Sequence, residues 1–204
     1  MRGHQHCHLV VMVKAPRLGR VKTRLAADIG GVAAWNFYRR TMARVLRPLA
    51  GDARWTTWLA VTPDNSLRQG RLWPVATPRL TQGAGDLGER MGRVMAVMPA
   101  GPVVIIGADI PGIRAAHINR AFKALGRADA VFGPAADGGY WLVGLKRRPA
   151  LKEIFAAVRW SSEHALADTK ANLPAHWRVD HLEVLTDVDD GATYAAHKLG
   201  VSVP

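Results

Sequence analysis

Short apolar runs and amphipathic segments alternate along this sequence, and that alternation constrains the fold more than any other feature. Residues 9–13 form a continuous apolar run bounded by Lys14-Ala15-Pro16 and read as a buried strand. Residues 32–49 follow a helical period, with Trp35, Tyr38, Met42, Val45 and Leu49 on one face, and Pro48 and Gly51 close the segment. Strand-like residues 56–61 end in the turn formers Thr62-Pro63-Asp64-Asn65, and a helix is predicted over 86–98 with Asp86 as its N-cap. The clearest strand, 103–106, runs into Gly107-Ala108-Asp109-Ile110-Pro111, and a helix is predicted over 115–125. Short strands at 130–132 and 140–145 are separated by Asp137-Gly138-Gly139. A helix follows from a Ser162 cap to about Leu173, then a strand at 182–185 and a closing helix over 192–199. Such alternation predicts one α/β domain: a mostly parallel, mixed sheet with helices on both faces.

At 204 residues the chain suffices for one buried core and is short for two; its 49% apolar and 22% charged residues suit a globular protein. Cys7 is the one cysteine, which excludes an internal disulfide and fits a reducing, cytoplasmic setting. Neither long apolar run approaches the ~20 residues of a membrane span, so none is expected. Residues 1–8 read as a flexible tail; His4, His6, Cys7 and His8 would hold a soft metal only adventitiously, because no second ligand cluster answers them. The net charge of +12 comes largely from arginines spread along helices, such as Arg39, Arg40, Arg44 and Arg47. No basic run is interleaved with aromatics, so nucleic acid is not the expected partner.

Open sheets of this type bind ligands beyond the carboxyl ends of their strands. The first such loop, 14–25, holds five cations in eleven residues, Lys14, Arg17, Arg20, Lys22 and Arg24, with Pro16, Gly19 and Thr23 among them. Gly19 allows close backbone approach, and the set suits a chain of phosphates, although no Walker sequence is present. Asp109 follows the strongest strand and is held by Pro111, while Asp187 and Asp189 share one face of an extended segment. Hard carboxylate oxygens suit Mg²⁺ or Mn²⁺ bridging substrate phosphates. Asp137-Gly138-Gly139-Tyr140 fits either a hairpin turn or a close backbone approach to a ligand with Asp137 in contact.

Gly83-Ala84-Gly85-Asp86-Leu87-Gly88 matches a dinucleotide fingerprint, but residues 78–82 make a poor preceding strand, so the match is set aside. Trp55, Trp58 and Trp73 read as packing residues. No local motif for a serine or cysteine nucleophile occurs.

Several motifs occur together in order: Lys14-Ala-Pro-x-x-Gly-x-x-Lys-Thr-Arg-Leu25, Gln82-Gly-x-Gly-Asp-Leu-Gly-x-Arg-Met91, Gly107-x-Asp-x-Pro111, Gly133-Pro-x-x-Asp-Gly-Gly-Tyr140, Trp160-Ser161 and Asp187-Val-Asp189. The combination resembles a bacterial family of glycosyltransferases formerly of unknown function, of the selenium/radical-SAM-associated type. That family belongs to the nucleotide-diphospho-sugar transferase superfamily and is similar to 2-phospholactate guanylyltransferase. The resemblance spans about residues 9–197. It implies a GT-A-like, Rossmann-like fold, a first loop that binds nucleotide phosphates, and a metal held by Asp109, Asp187 and Asp189. It also implies Gly85 and Asp86 beside the nucleotide, and substrate contacts from Asp137, Gly138, Gly139, Tyr140, Trp160 and Ser161. Ile110 and Asp190-Gly191 depart from the family pattern without touching those ligands.

Two reactions fit: glycosyl transfer from a nucleotide sugar to an unknown acceptor, and nucleotidyl transfer from a nucleoside triphosphate to a phosphorylated small molecule. Asp109, Asp137 and Lys22 are the expected catalytic residues, and a homo-oligomer is compatible with either. A non-catalytic nucleotide- or nucleic-acid-binding protein is the remaining alternative.

Overall fold

The structure, a computed structural model, describes residues 6–146 and 153–200. His4 and most of the expected tail lie outside these residues. His8, by contrast, is buried and opens the first strand, so the tail is shorter than expected.

The chain runs β1 (His8–Lys14), α1 (Thr23–Ile29), α2 (Gly31–Ala50), β2 (Thr56–Thr62), β3 (Arg79–Thr81), α3 (Leu87–Val97) and β4 (Val103–Gly107). It continues through α4 (Ala115–Leu125), β5 (Ala130–Pro134), β6 (Tyr140–Leu145), α5 (Ala165–Ala171), β7 (Val179–His181) and α6 (Gly191–Leu199). Among the described residues the strands form one sheet in the order β3-β2-β1-β4-β6-β5-β7. Pairing is parallel throughout except at β6, which is antiparallel to both β4 and β5. The carboxyl ends of β1, β2, β4 and β5 and the start of β6 therefore share one edge.

Strand β1 is apolar because both its faces are covered. Leu9, Val11 and Val13 pack with Tyr38, Met42 and Val45 of α2 and with Ile118 and Leu125 of α4. Val10 points the other way, into a second core with Met91, Val94 and Met95 of α3, Ile105 and Phe132. A small third cluster, Leu25, Ala34, Phe37 and Val188, ties α1 and α2 to the segment before α6. No helix among the described residues is long and apolar enough to cross a membrane.

Four boundaries differ from the sequence reading. The basic loop ends at Lys22, because residues from Thr23 onward form α1. Residues 79–81 do form a strand, a short one at the sheet edge paired with β2. The strand expected at 182–185 is centred earlier, at β7, and the chain stays extended beyond it. Leu182 N donates to Phe132 O at 2.8 Å, and Leu185 N to Pro134 O at 3.2 Å. Tertiary pairing rather than local propensity sets this strand. Helix α5 starts at Ala165, and Ser162 does not cap it: its hydroxyl donates to Arg159 O at 2.6 Å and closes the preceding turn.

Asp86 caps α3 as expected, in a reciprocal arrangement: its Oδ1 accepts from Glu89 N at 2.9 Å, and Glu89 Oε2 accepts from Asp86 N at 2.8 Å. Asp86→Ala is expected to cost about 1 kcal/mol of folding stability. Urea unfolding measures this, and an unmoved midpoint would show that the cap contributes nothing.

Candidate active site

Helix α2 fixes where β1 ends. The Tyr38 hydroxyl accepts from Lys14 N at 3.0 Å and donates to Lys14 O at 2.8 Å, and Trp35 Nε1 donates to Pro16 O at 2.6 Å. Beside the ends of β1 and β2, Gln82 Nε2 donates to Ala60 O at 2.7 Å and Val13 O at 3.2 Å. The basic loop thus leaves a rigid strand end. It returns at Lys22, which adopts a left-handed conformation (φ 47°) immediately before α1. Such a conformation is uncommon for a residue with a side chain, and here it sends that side chain into the centre of the site.

The Lys22 ammonium lies 3.0 Å from Asp109 Oδ2 and 2.6 Å from Asp189 Oδ1, with its side chain only 4% exposed. Arg24 pairs with the second oxygen of Asp189. Burial alone would lower the Lys22 pKa, but the charges and hydrogen bonds of Asp109 and Asp189 outweigh it, so the ammonium titrates above its ordinary value. Burial raises the pKa of Asp189, and Lys22 and Arg24 outweigh it in the other direction, leaving the carboxyl below its ordinary range. Asp187 has no such cationic ion-pair partner among the described residues. Burial first, then the charges of Asp189, Asp109 and Asp137, push it up to about 6 against the pull of Lys22.

Asp109, Asp187 and Asp189 therefore converge, as the spacing and the resemblance require, but not as a symmetrical cage. Lys22 lies between Asp109 and Asp189, and no three His, Cys, Asp or Glu side chains among the described residues stand in metal-coordinating geometry. The donor set nonetheless fits a hard divalent cation, since Mg²⁺ is commonly held by one or two carboxylates while waters and substrate phosphates complete its shell. Asp109 and Asp187 face a common cavity and would supply those carboxylates.

Two cavities meet here, sharing Met12, Leu87 and Asp109 in their walls. One, of about 240 Å³, lies over the ends of β1 and β2 and is lined by Lys14, Arg20, Lys22, Thr23, Tyr38 and Gln82 among others. The second, of about 250 Å³, lies over β4 and β6 and takes in Asp137, Gly139, Tyr140, Trp160, Ser161 and Asp187. The hairpin reading of Asp137-Gly138-Gly139 holds: β5 pairs antiparallel with β6, and Asp137 Oδ1 accepts from Gly139 N at 3.0 Å. Gly138 has φ 82°, and an added Cβ would lie 2.3 Å from Glu163 O, so only glycine lets this turn meet the segment leading to α5.

Other expected residues fall beside the cavities. Pro16 is buried under Trp35, Gly19 is exposed in the loop, and Asp86 uses its carboxylate as a helix cap. Gly85 O accepts from Arg90 Nε at 2.9 Å. The glycine-rich loop is preceded by a strand after all, yet Asp86 and Glu89 occupy the start of α3 with negative charge, which disfavours a pyrophosphate there. The sequence reading missed Tyr38, Gln82, Leu87 and Met91 as parts of the site. Gln82, Leu87 and Met91 all stood in one quoted motif, whereas Tyr38 looks like an ordinary core residue until the sheet is assembled.

The seven-stranded mixed sheet and the site at its edge define the fold of the nucleotide-diphospho-sugar transferases. The chain itself belongs to the family described as "uncharacterized protein conserved in bacteria (DUF2064)", which matches residues 45–162. Among solved structures, it is similar to a protein from Desulfovibrio desulfuricans G20 provisionally described as a nucleotide-diphospho-sugar transferase. The TM-score is 0.87 at 28% identity, over 94% of this chain and 85% of that one. It also shares its fold with 4-diphosphocytidyl-2C-methyl-D-erythritol synthase from Anaerococcus prevotii DSM 20548, with a TM-score of 0.62 at 9% identity over 96% and 99% of the two chains. A third is glucosyl-3-phosphoglycerate synthase from Mycobacterium tuberculosis, complexed with Mn²⁺, UDP and glucosyl-3-phosphoglycerate. Its TM-score is 0.56 at 12% identity over 97% of this chain and 75% of that one. No curated protein sequence matches. The expected superfamily and fold are thereby confirmed.

The raised pKa of Asp187 has a definite sign for stability. Its folded value lies above the unfolded one, so ionising it costs stability as pH rises from the ordinary carboxylate range to about 6, and the cost persists above that. Asp187→Asn is expected to stabilise the metal-free protein at pH 8 by on the order of 1 kcal/mol and to do little at pH 4. Denaturant unfolding at the two pH values checks it; an equal effect at both would contradict the assignment.

Proposed function

We propose that the protein is a metal-dependent glycosyltransferase that takes a nucleotide sugar as donor. The observation that carries this reading is the pair of cavities joined at Asp109, one cationic and one carboxylate-bearing. In this reading Lys14, Arg20 and Lys22 bind the donor's diphosphate, with Thr23 at the start of α1. Arg24 and Asp189 hold Lys22 in place. The donor's sugar projects past Asp109 into the second cavity, beside Asp137, Tyr140, Trp160 and Ser161.

A divalent cation held by Asp109 and Asp187 would neutralise charge on the departing diphosphate. An acceptor hydroxyl oxygen bonds to the anomeric carbon while the bond from that carbon to the diphosphate oxygen breaks, the electron pair leaving with the nucleoside diphosphate. The hydroxyl proton passes to a carboxylate, for which Asp137 is the candidate base. Similar folds in a uridine-diphosphate-bound synthase and a diphosphocytidyl synthase support nucleotide use without choosing the reaction. The density of cations in the first cavity favours a second reading, nucleotidyl transfer from a triphosphate.

Asp109→Asn is expected to lower metal-dependent turnover by on the order of 10²–10³-fold while the circular dichroism spectrum stays native. Full retention of activity would remove Asp109 from the mechanism. Thermal-shift titration with nucleotide sugars and nucleoside triphosphates, with and without Mg²⁺ or Mn²⁺, separates the two readings, because a ligand of the native state raises its stability. Stabilisation by triphosphates alone would favour nucleotidyl transfer.

A further inference from the structure

Helix α2 carries Arg39, Arg40, Arg44 and Arg47 at exposed positions and holds no Asp or Glu in its 20 residues. A helix face that is merely solvated usually mixes charges of both signs, because like charges three or four residues apart repel. Arg40, Arg44 and Arg47 follow one another at that spacing with no acid between them. None of the ion pairs among the described residues involves any of the four. Arg39 instead lies over the Trp35 ring, 4.6 Å from its centre.

These side chains line a groove rather than a flat surface. A concavity of about 660 Å³ lies between α2 and residues 71–74, where Arg71 adds a fifth guanidinium and Leu72 and Pro74 add apolar surface. No residue lining it is an acid. Arg44 also lines a neighbouring concavity of about 450 Å³, together with Arg114, His197 and the exposed Val184. The carboxylate in that wall is Asp187, which the cavity over β4 and β6 shares.

Shape and chemistry select the occupant. The guanidiniums from Arg39 to Arg47 are spread along about 12 Å of helix axis, which suits a chain better than a compact anion. A single nucleic-acid strand needs free aromatic faces, but Arg39 covers the Trp35 ring and Trp73 is buried. A lipid surface would meet a projecting face, not a groove. An extended peptide with acids at alternate positions presents carboxylates about 7 Å apart, close to the one-turn spacing of Arg40, Arg44 and Arg47. Guanidinium forks receive carboxylates through paired hydrogen bonds, and Leu72, Pro74 and Val184 offer apolar surface to the residues between the acids.

We propose that the groove along α2 docks an extended acidic segment of a partner protein, its carboxylates bound by Arg40, Arg44, Arg47 and Arg71. This surface is separate from the cation-lined cavity over β1 and β2, and the proposal does not depend on the transferase reading.

The probe is a fluorescein-labelled peptide in which Glu alternates with Leu or Ala, about twelve residues long so that it spans the groove. It is titrated with the full chain at about 0.15 M salt and followed by fluorescence anisotropy. Arg40→Gln combined with Arg47→Gln is expected to weaken binding more than about tenfold. Two control pairs each remove the same charge elsewhere: Lys123→Gln with Lys170→Gln on α4 and α5, and Lys14→Gln with Arg20→Gln in the cavity over β1 and β2. Each is expected to change affinity less than about twofold. An equal loss in the first control pair would mean bulk charge attraction, and in the second would place the peptide in the active site; either overturns the proposal. A peptide with Gln in place of Glu that binds as tightly also overturns it. A labelled uridine oligonucleotide and phosphatidylglycerol vesicles are tested in parallel. If either binds more tightly than the peptide and loses that affinity in the Arg40, Arg47 variant, the acidic segment is the wrong partner.

Discussion

The ammonium of Lys22 joins three parts of the chain that are far apart in sequence: the loop after β1, the exit of β4 at Asp109, and the segment before α6 at Asp189. The geometry of both cavities depends on it. A buried lysine is favourable only when paired, and losing one member of a buried pair costs about 3–5 kcal/mol in a dry interior. Here the carboxylates keep 41% and 29% of their side-chain surface exposed, which puts the penalty below that range. The ion pair is therefore weaker as a fastener than as a locator. It fixes where the cation stands, and Lys22 adopts a left-handed backbone to reach that place.

That position also separates the charges. A protein with net charge +12 would be expected to present cations everywhere along its ligand edge, yet the cavity over β6 has none. The partition follows from topology. Every cation of the first cavity comes from the last residue of β1 or the loop after it, and that loop lies over β1 and β2, on one side of Asp109. The second cavity is built from the reversed strand β6, its hairpin and the segment leading to α5, where the chain supplies carboxylates, rings and hydroxyls. Reversing one strand brings the start of β6 to the same edge as the ends of its neighbours. Tyr140, at the start of β6, thus lines the same cavity as Asp109, two residues past the end of the oppositely directed β4.

Much of this was legible in the sequence, and the parts that were not share a physical reason. The apolar runs of β1 and β4 and the periodicity of α2 and α3 are local signals, and strand-end residues such as Asp109 follow from them by geometry. The turn at Gly138 was legible as a hairpin because two glycines follow an aspartate. Strands β3 and β7 were not, since each is three residues long and exists through pairing with β2 and β5. Lys22 read as one phosphate-binding cation among five. Its burial and its two carboxylate partners depend on α1 and on the return of the chain at Asp189, which no local pattern encodes. Tyr38 and Gln82 escaped for the same reason. Each hydrogen-bonds the backbone of a strand that is remote in sequence.

The balance of charge at this edge differs from that of the remaining surface. Away from this edge, carboxylates are matched by cations, as in Asp180 with Arg127 and Asp168 with Arg159. At the site, Asp109, Asp137, Asp187 and Asp189 find ion-pair partners among the described residues only in Lys22 and Arg24, and the excess falls on Asp187, whose ionisation the surroundings oppose. An apolar or amide side chain at that position would relieve the strain, so the fold does not require the carboxylate. Asp187 therefore gives up stability in the wall of the second cavity, next to a cation-lined cavity of similar volume.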